Sequence, residues 1–185
     1  MRCFVAADIN DALRSKIEML QGELKRKLKN PPGVKWVAPK LIHLTLKFLG
    51  EVEDDRTEEI CQTLEQTCAG FKKFELEFST VGSFGRPPKV LWLGMKKQSN
   101  ELEKLAGTVE QAVEELGFDK EDRPFSPHIT LARMKNGFSD RQLPQIIENS
   151  GKIDAPAVTI DSVCFFKSQL TSDGPLYTLL KRIEF

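Results

Sequence analysis

The chain of 185 residues contains two histidines, and each opens the same short pattern: His-Leu-Thr-Leu at 43–46 and His-Ile-Thr-Leu at 128–131. Imidazole exchanges its proton near neutral pH, so two of them can serve as general base and general acid in one reaction. A threonine hydroxyl two residues on can donate to a non-bridging phosphate oxygen and stabilise the charge that builds there. Strand side chains alternate faces. His43, Thr45 and Lys47 then share one face, with Leu44, Leu46 and Phe48 on the other. His128 and Thr130 repeat the arrangement against Ile129 and Leu131. If both polar faces line one cleft, a phosphodiester between the histidines can be cleaved without a metal. One ring takes a proton from water and the other gives one to the leaving oxygen. The two copies look alike, so the residues leave open which is acid and which is base.

Other chemistries find less support. No Asp, Glu or Cys stands at a spacing that would complete a zinc site with the histidines. There is no G-x-S-x-G elbow, Ser126 beside Pro127 has no nucleophile context, and no G-x-x-x-x-G-K-[ST] loop is present. The competing alternative is a non-catalytic RNA- or nucleotide-binding module that uses the same cleft. Lys+Arg and Asp+Glu are both 27, which argues against coating nucleic acid by bulk charge and leaves room for a local basic groove. Cys3, Cys61, Cys68 and Cys164 form no C-x-x-C pair and read as buried, reduced thiols of a cytosolic protein. No apolar run is long enough for a membrane span, and the acid at Asp8 comes too early for a signal peptide.

The elements that must position the pattern follow from periodicity. Cys3–Ala7 reads as a buried strand. Leu13, Ile17, Leu20 and Leu24 make the inner stripe of a helix over roughly 11–29, with Asn10 as N-cap and the Asn-Pro-Pro-Gly run at 30–33 as its stop. A short strand at Lys35–Val37 precedes the first motif strand, Leu41–Leu49. Ile60, Leu64 and Cys68 mark a second helix, ended by Gly70. Phe74, Leu76 and Phe78 alternate with polar residues as in a strand. A turn at Phe84–Lys89 leads to a strand at Val90–Met95. Leu102, Leu105, Val109, Val113 and Leu116 form the strongest helical stripe, closed by Gly117. After a polar loop comes the second motif strand, His128–Met134. A helix near Ser139–Asn149 must start late to accommodate Pro144. Strands at Ala157–Lys167 and Leu176–Ile183 finish the chain, around a turn at 171–175.

Strand, helix, motif strand, helix, strand thus occurs twice. Val158–Phe166 resembles Leu76–Phe84, and Leu176–Ile183 echoes Val90–Met95. The expectation is an α+β protein: one bilobal domain over 1–185, built of two similar halves (about 2–85 and 90–183). Two antiparallel sheets would flank a central cleft, with helices outside and a pseudo-two-fold axis between the lobes.

The longer strings around the motifs carry a resemblance. "RCFVAADIN", "VKWVAPKLIHLTLKFLGEV" (34–52), "VGSFGRPPKVLWLG" (81–94) and "RPFSPHITLAR" (123–133) are similar to the 2H phosphoesterases, and within them to the RNA 2′,3′-cyclic phosphodiesterases, also called 2′-5′ RNA ligases. The resemblance implies hydrolysis of RNA 2′,3′-cyclic phosphate ends to 2′-phosphates, with no metal or other cofactor and with possible reverse ligation of ends such as tRNA halves. It implies His43 as proton donor, His128 as proton acceptor, and Thr45 and Thr130 as phosphate binders. A cytoplasmic monomer without membrane contact is expected. Arg133 matches an arginine that follows the second motif in the family. Alternation puts it on the wrong face, so a bulge or strand end would have to re-aim it. Lys47 has cleft-facing parity. Phe84, on the turn with Arg86, could stack on a base or fill the core, and Trp36 has the same two uses.

Overall fold

The computed structural model describes residues 1–29, 31–135, 142–150, 152–172 and 174–185. Among these residues ten strands and four α-helices follow in the order β1 (Arg2–Ala7), α1 (Asp11–Lys27), β2 (Val34–Trp36), β3 (Leu44–Glu51), α2 (Thr57–Cys68), β4 (Phe74–Leu76), β5 (Phe78–Phe84), β6 (Val90–Met95), α3 (Asn100–Glu115), β7 (His128–Met134), α4 (Leu143–Asn149), β8 (Val158–Ile160), β9 (Ser162–Thr171) and β10 (Gly174–Glu184). A 3-10 turn at Pro39–Leu41 replaces the expected start of β3, because Pro39 pre-sets the turn geometry. The expected helix near 139–149 begins at Leu143 with Pro144 in its first turn, where the missing N–H costs nothing. Residues 139–141 of that expectation lie outside the described residues, as do Asn30 of the 30–33 stop and Asp173 of the final turn.

Every strand pairing is antiparallel. The main sheet runs β10-β9-β1-β3-β7-β6-β5, with β2 also paired to β7, and β4 and β8 form a separate two-stranded ribbon. The expected two sheets are therefore joined into one. The junction between β3 and β7 consists of a single register pair, Leu44 with Ile129. Beyond it β7 leaves β3 and pairs with β2 instead.

A division near residues 85–90 does not separate the two sides of this junction. β5 joins β6 and β7, while β9 and β10 join β1 and β3. The place beside β9 that mirrors β6 beside β5 is held by β1, not by β10, which forms the edge. The chain crosses from ribbon to main sheet twice, at Glu77 between β4 and β5 and at Asp161 between β8 and β9.

The helices cover one face. Leu13, Ile17 and Leu24 of α1 and Leu102, Leu105, Val109 and Val113 of α3 are fully buried. Full burial of such a side chain is worth about 1.5–3 kcal/mol. Asn10 caps α1 by accepting from the Leu13 N–H, and Ser99 caps α3 by accepting from the Leu102 N–H. The four cysteines are buried and free, and burial pushes the Cys68 and Cys164 thiols up to about 11, which leaves them inert as nucleophiles. Among the described residues no helix is long and apolar enough to cross a membrane.

Candidate active site

His128 opens β7 and His43 immediately precedes β3, in each case because the backbone just before it turns. His43 follows the Pro39–Leu41 turn, and His128 follows the loop that ends at Pro127. In both places the ring Nδ1 lies 2.8 Å from the carbonyl oxygen two residues earlier, that of Leu41 and that of Ser126. A carbonyl only accepts, so each Nδ1 carries the proton and each Nε2 is left to face the cleft.

The Leu44–Ile129 pair sets the four motif side chains against one another. Antiparallel register carried one residue either way puts His43 across from Thr130 and Thr45 across from His128. The histidines occupy one diagonal of this square and the threonines the other. Diagonal positions on neighbouring strands are roughly 7–8 Å apart at the backbone. All four side chains are half-buried, while Leu44 and Ile129 between them are fully buried on the helix side.

Both motif strands are bulged at the same place. Ala6 pairs with Thr45 and Val5 with Lys47, so Leu46 is the extra residue of β3. Trp92 pairs with Thr130 and Leu91 with Ala132, so Leu131 is the extra residue of β7. A bulge shifts the alternation by one residue. In β7 it buries Ala132 and exposes Arg133, turning Arg133 to the face of His128 and Thr130. In β3 it has the opposite consequence for the expected site. Lys47 is corrected out of the cleft: its side chain is 1% exposed and points to the helices. Its Nζ lies 2.7 Å from Glu110 Oε1 of α3 and 2.6 Å from the Asp119 carbonyl. Phe48, assigned by alternation to the apolar side, is 54% exposed and lies 6.1 Å from Phe4, ring to ring.

The surroundings of the two histidines differ. His43 stacks on Phe4 at 4.8 Å, with Phe166 behind Phe4 at 5.2 Å and the Tyr177 ring edge-on to His43 at 5.3 Å. Burial in this aromatic wall pulls the His43 pKa below its ordinary value. The Leu41 carbonyl and Asp8 oppose that shift, and the charges of Arg133 and Arg14 add to it. Burial raises the Tyr177 phenol while Arg133 lowers it, so the Arg133 charge is felt by both groups. His128 meets the edge of Phe84 at 4.9 Å, and Phe84 rests against Trp92 at 5.2 Å. Trp92 lies flat over Gly82 and Gly94, where a Cβ on either glycine would collide with the indole. Phe84 is therefore beside the site, whereas Trp36 packs against the core on the helix side, under the Lys25 ammonium.

Two polar side chains, Arg14 and Gln21, hold this geometry from behind. Arg14 donates to the Pro39 and Ile42 carbonyls at 2.7 and 2.9 Å and to Asp8 Oδ1 at 2.9 Å, clamping the turn whose Leu41 carbonyl orients His43. Gln21 Nε2 donates to the carbonyls of Val37 and Leu131 at 2.8 and 2.9 Å, which ties helix α1 to the bulge of β7. The sequence reading missed Arg14, Gln21, Trp92 and the wall of Phe4, Phe166 and Tyr177. The one local signal was that Phe4 alternates with the buried Cys3 and Val5 and so belongs to the other face. Among the described residues no group of three or more His, Cys, Asp or Glu side chains is placed to hold a metal ion.

Known proteins share this architecture and sequence. A family profile described as the 2′-5′ RNA ligase superfamily matches residues 9–171. The chain is 34% identical, over the full length of both, to an RNA 2′,3′-cyclic phosphodiesterase of Archaeoglobus fulgidus. It is 32% identical to one of Thermotoga maritima, covering 100% of this chain and 96% of the relative. The crystal structure of E. coli LigT complexed with 3′-AMP superposes with a TM-score of 0.78 at 25% identity, covering 100% of this chain and 97% of that one. A full-length match in sequence, a profile match across most of the chain and a shared fold all agree: the chain belongs to the 2′-5′ RNA ligase superfamily.

Proposed function

We propose that the protein hydrolyses RNA 2′,3′-cyclic phosphate ends to 2′-phosphates by metal-independent acid–base catalysis between His43 and His128. The observation that carries this is the square of His43, Thr130, His128 and Thr45 around the Leu44–Ile129 pair. The activity borne by the Archaeoglobus and Thermotoga relatives supports it.

In this mechanism the phosphate sits between the histidines, with the Thr45 and Thr130 hydroxyls donating to its non-bridging oxygens. Water attacks phosphorus opposite the 3′ oxygen, and the Nε2 of His128 takes its proton. The new P–O bond forms as the P–O3′ bond breaks, and the Nε2 proton of His43 goes to the departing 3′ oxygen. The products are a 2′-phosphate and a 3′-hydroxyl. Both rings then re-equilibrate with solvent. The assignment of donor and acceptor comes from the family resemblance. Burial works against a charged His43 in the empty cleft, and the arriving phosphate anion offsets it. Arg133 adds positive charge beside the same phosphate, and Phe84 offers a ring edge next to His128 for a terminal base. A ribose hydroxyl in place of water would give 2′-5′ ligation by the same steps.

The matched bulges, the matched Nδ1 contacts and the doubled crossing between ribbon and sheet support descent of the two sides of the cleft from one duplicated unit. For the activity, the test is incubation with RNA bearing a 2′,3′-cyclic phosphate in excess EDTA. A 2′-phosphate product is expected, and replacing either histidine with alanine should cost about 10²–10⁴ in kcat. Binding without turnover would instead identify a non-catalytic RNA-binding module.

A further inference from the structure

Phe84 and Tyr177 hold corresponding places in the cleft. Phe84 meets His128 edge-on at 4.9 Å, and Tyr177 meets His43 edge-on at 5.3 Å. The two rings differ in one group, the Tyr177 hydroxyl. Tyr177 pairs with Ser168, two residues past Phe166, so it projects from the same face of the β9–β10 hairpin as Phe166. On a flat sheet the three strand spacings from β10 to β3 would hold the two backbones about 14 Å apart. With the Tyr177 and His43 rings at 5.3 Å, the sheet must curl toward its cleft face and bring Tyr177 to His43. Among the described residues the hydroxyl has no hydrogen-bond partner, and it is not sealed from water. It is the only polar side-chain atom of the wall that Tyr177 forms with Phe4 and Phe166. The charge of Arg133 reaches both this phenol and the His43 ring.

We infer that Tyr177 is a further catalytic residue, its hydroxyl donating to a non-bridging oxygen of the scissile phosphate on the side of the leaving 3′ oxygen. In-line displacement puts the attacking water and the 3′ oxygen at opposite ends of phosphorus and leaves the non-bridging oxygens between them. Thr45 and Thr130 approach those oxygens from the floor of the sheet. Tyr177 approaches from the wall beside His43, where the ring beside His128 has no donor to offer. A hydroxyl without a protein partner gains a full hydrogen bond from the acceptor that enters. It strengthens as charge builds on the phosphate oxygens while the P–O3′ bond breaks. Tyr177 gives up no proton in this step: His43 alone supplies the one that goes to the 3′ oxygen, and the phenol acts as a fixed donor.

This inference rests on the phosphodiesterase reading, and two measurements separate them. Tyr177→Phe keeps the ring against His43 and removes only the hydroxyl. With cytidine 2′,3′-cyclic phosphate its kcat/KM should fall about ten- to hundredfold, the scale of one hydrogen bond to a charged group. Its Tm should not change, because the hydroxyl has no protein partner to lose. A loss smaller than about fivefold, or one that comes with a matching fall in Tm, overturns the inference and leaves the phosphodiesterase reading standing. Tyr177 is the only tyrosine of the chain, so growth on 3-fluorotyrosine labels this position alone. Its 19F resonance should shift as the wild-type protein is saturated with inorganic phosphate, and a resonance that phosphate leaves in place also overturns the inference. A wild-type protein that hydrolyses no cyclic phosphate sinks the phosphodiesterase reading, and the 19F titration then decides the contact by itself.

Discussion

The displacement of Lys47 from the cleft has a measurable consequence. Its ammonium is buried, held by Glu110 Oε1 at 2.7 Å and the Asp119 carbonyl at 2.6 Å. Glu110 is 18% exposed, and its Oε1 also accepts from the Glu121 N–H at 2.8 Å. Glu110→Ala leaves a charge with one neutral partner in the interior. Breaking a buried pair from one side costs about 3–5 kcal/mol. At this chain length that is a fall in Tm of roughly 6–20 °C. Lys47→Met removes the charge and keeps the stem volume. It leaves behind a carboxylate that still has a backbone donor and some water, so a loss of about 1–3 kcal/mol is expected. The double variant Lys47→Met/Glu110→Gln should lose less than the sum of the single changes, with a coupling of about 1–3 kcal/mol. Urea titrations give the stabilities, and hydrolysis of a 2′,3′-cyclic substrate at 25 °C gives the activity. Lys47→Met should keep kcat/KM within about threefold, because neither charge touches the phosphate. A Lys47→Met protein of undiminished stability whose kcat/KM has fallen tenfold or more would refute the assignment. It would return Lys47 to the cleft, where simple strand alternation puts it.

Other expectations concern the histidines and their supports. As proton donor His43 must be charged, and burial lowers its pKa in the free enzyme; the bound anion raises it. The basic limb of kcat should therefore lie at higher pH than that of kcat/KM, and coincident or reversed limbs count against His43 as donor. The same lowered value makes the unfolded chain the better proton binder, so the urea midpoint should fall as pH drops from about 6.5 through the folded-state value; a midpoint flat across that window contradicts the burial. Arg14→Lys cannot hold the Pro39 and Ile42 carbonyls and Asp8 together. Steady-state kinetics should show kcat lowered roughly ten- to hundredfold with little change in KM, because His43 is misaligned rather than substrate released. Gly82→Ala drives a methyl into the Trp92 indole. It should cost about 1–3 kcal/mol in a urea titration and, by moving Phe84 against His128, lower kcat as well.

Much of the molecule is legible one residue at a time. Helix stripes such as Leu13, Ile17, Leu20 and Leu24 appear directly in the 3.6-residue period, because one face of a helix must be buried whatever it packs on. The two His-x-Thr patterns name the chemistry, and the strings around them carry the family. The alternation rule holds through Leu46 and Leu131 and fails just past them in both strands. It then assigns Lys47 to the cleft and Arg133 to the interior, the reverse of what the structure has.

The physical reason is that alternation is local and a bulge is not. Whether Leu46 or Leu131 is accommodated as an extra residue depends on the strand opposite: β1 for Leu46, β6 for Leu131. The Gln21 contact to the Leu131 carbonyl adds a third element, from 110 positions earlier in the chain. The aromatic wall around His43 likewise needs Phe4, Phe166 and Tyr177 from three strands that only the sheet order brings side by side. The sequence alone determined the two histidines, their threonines and the family to which they belong. The tertiary structure decided which cation shares their face and which histidine stands in the aromatic wall.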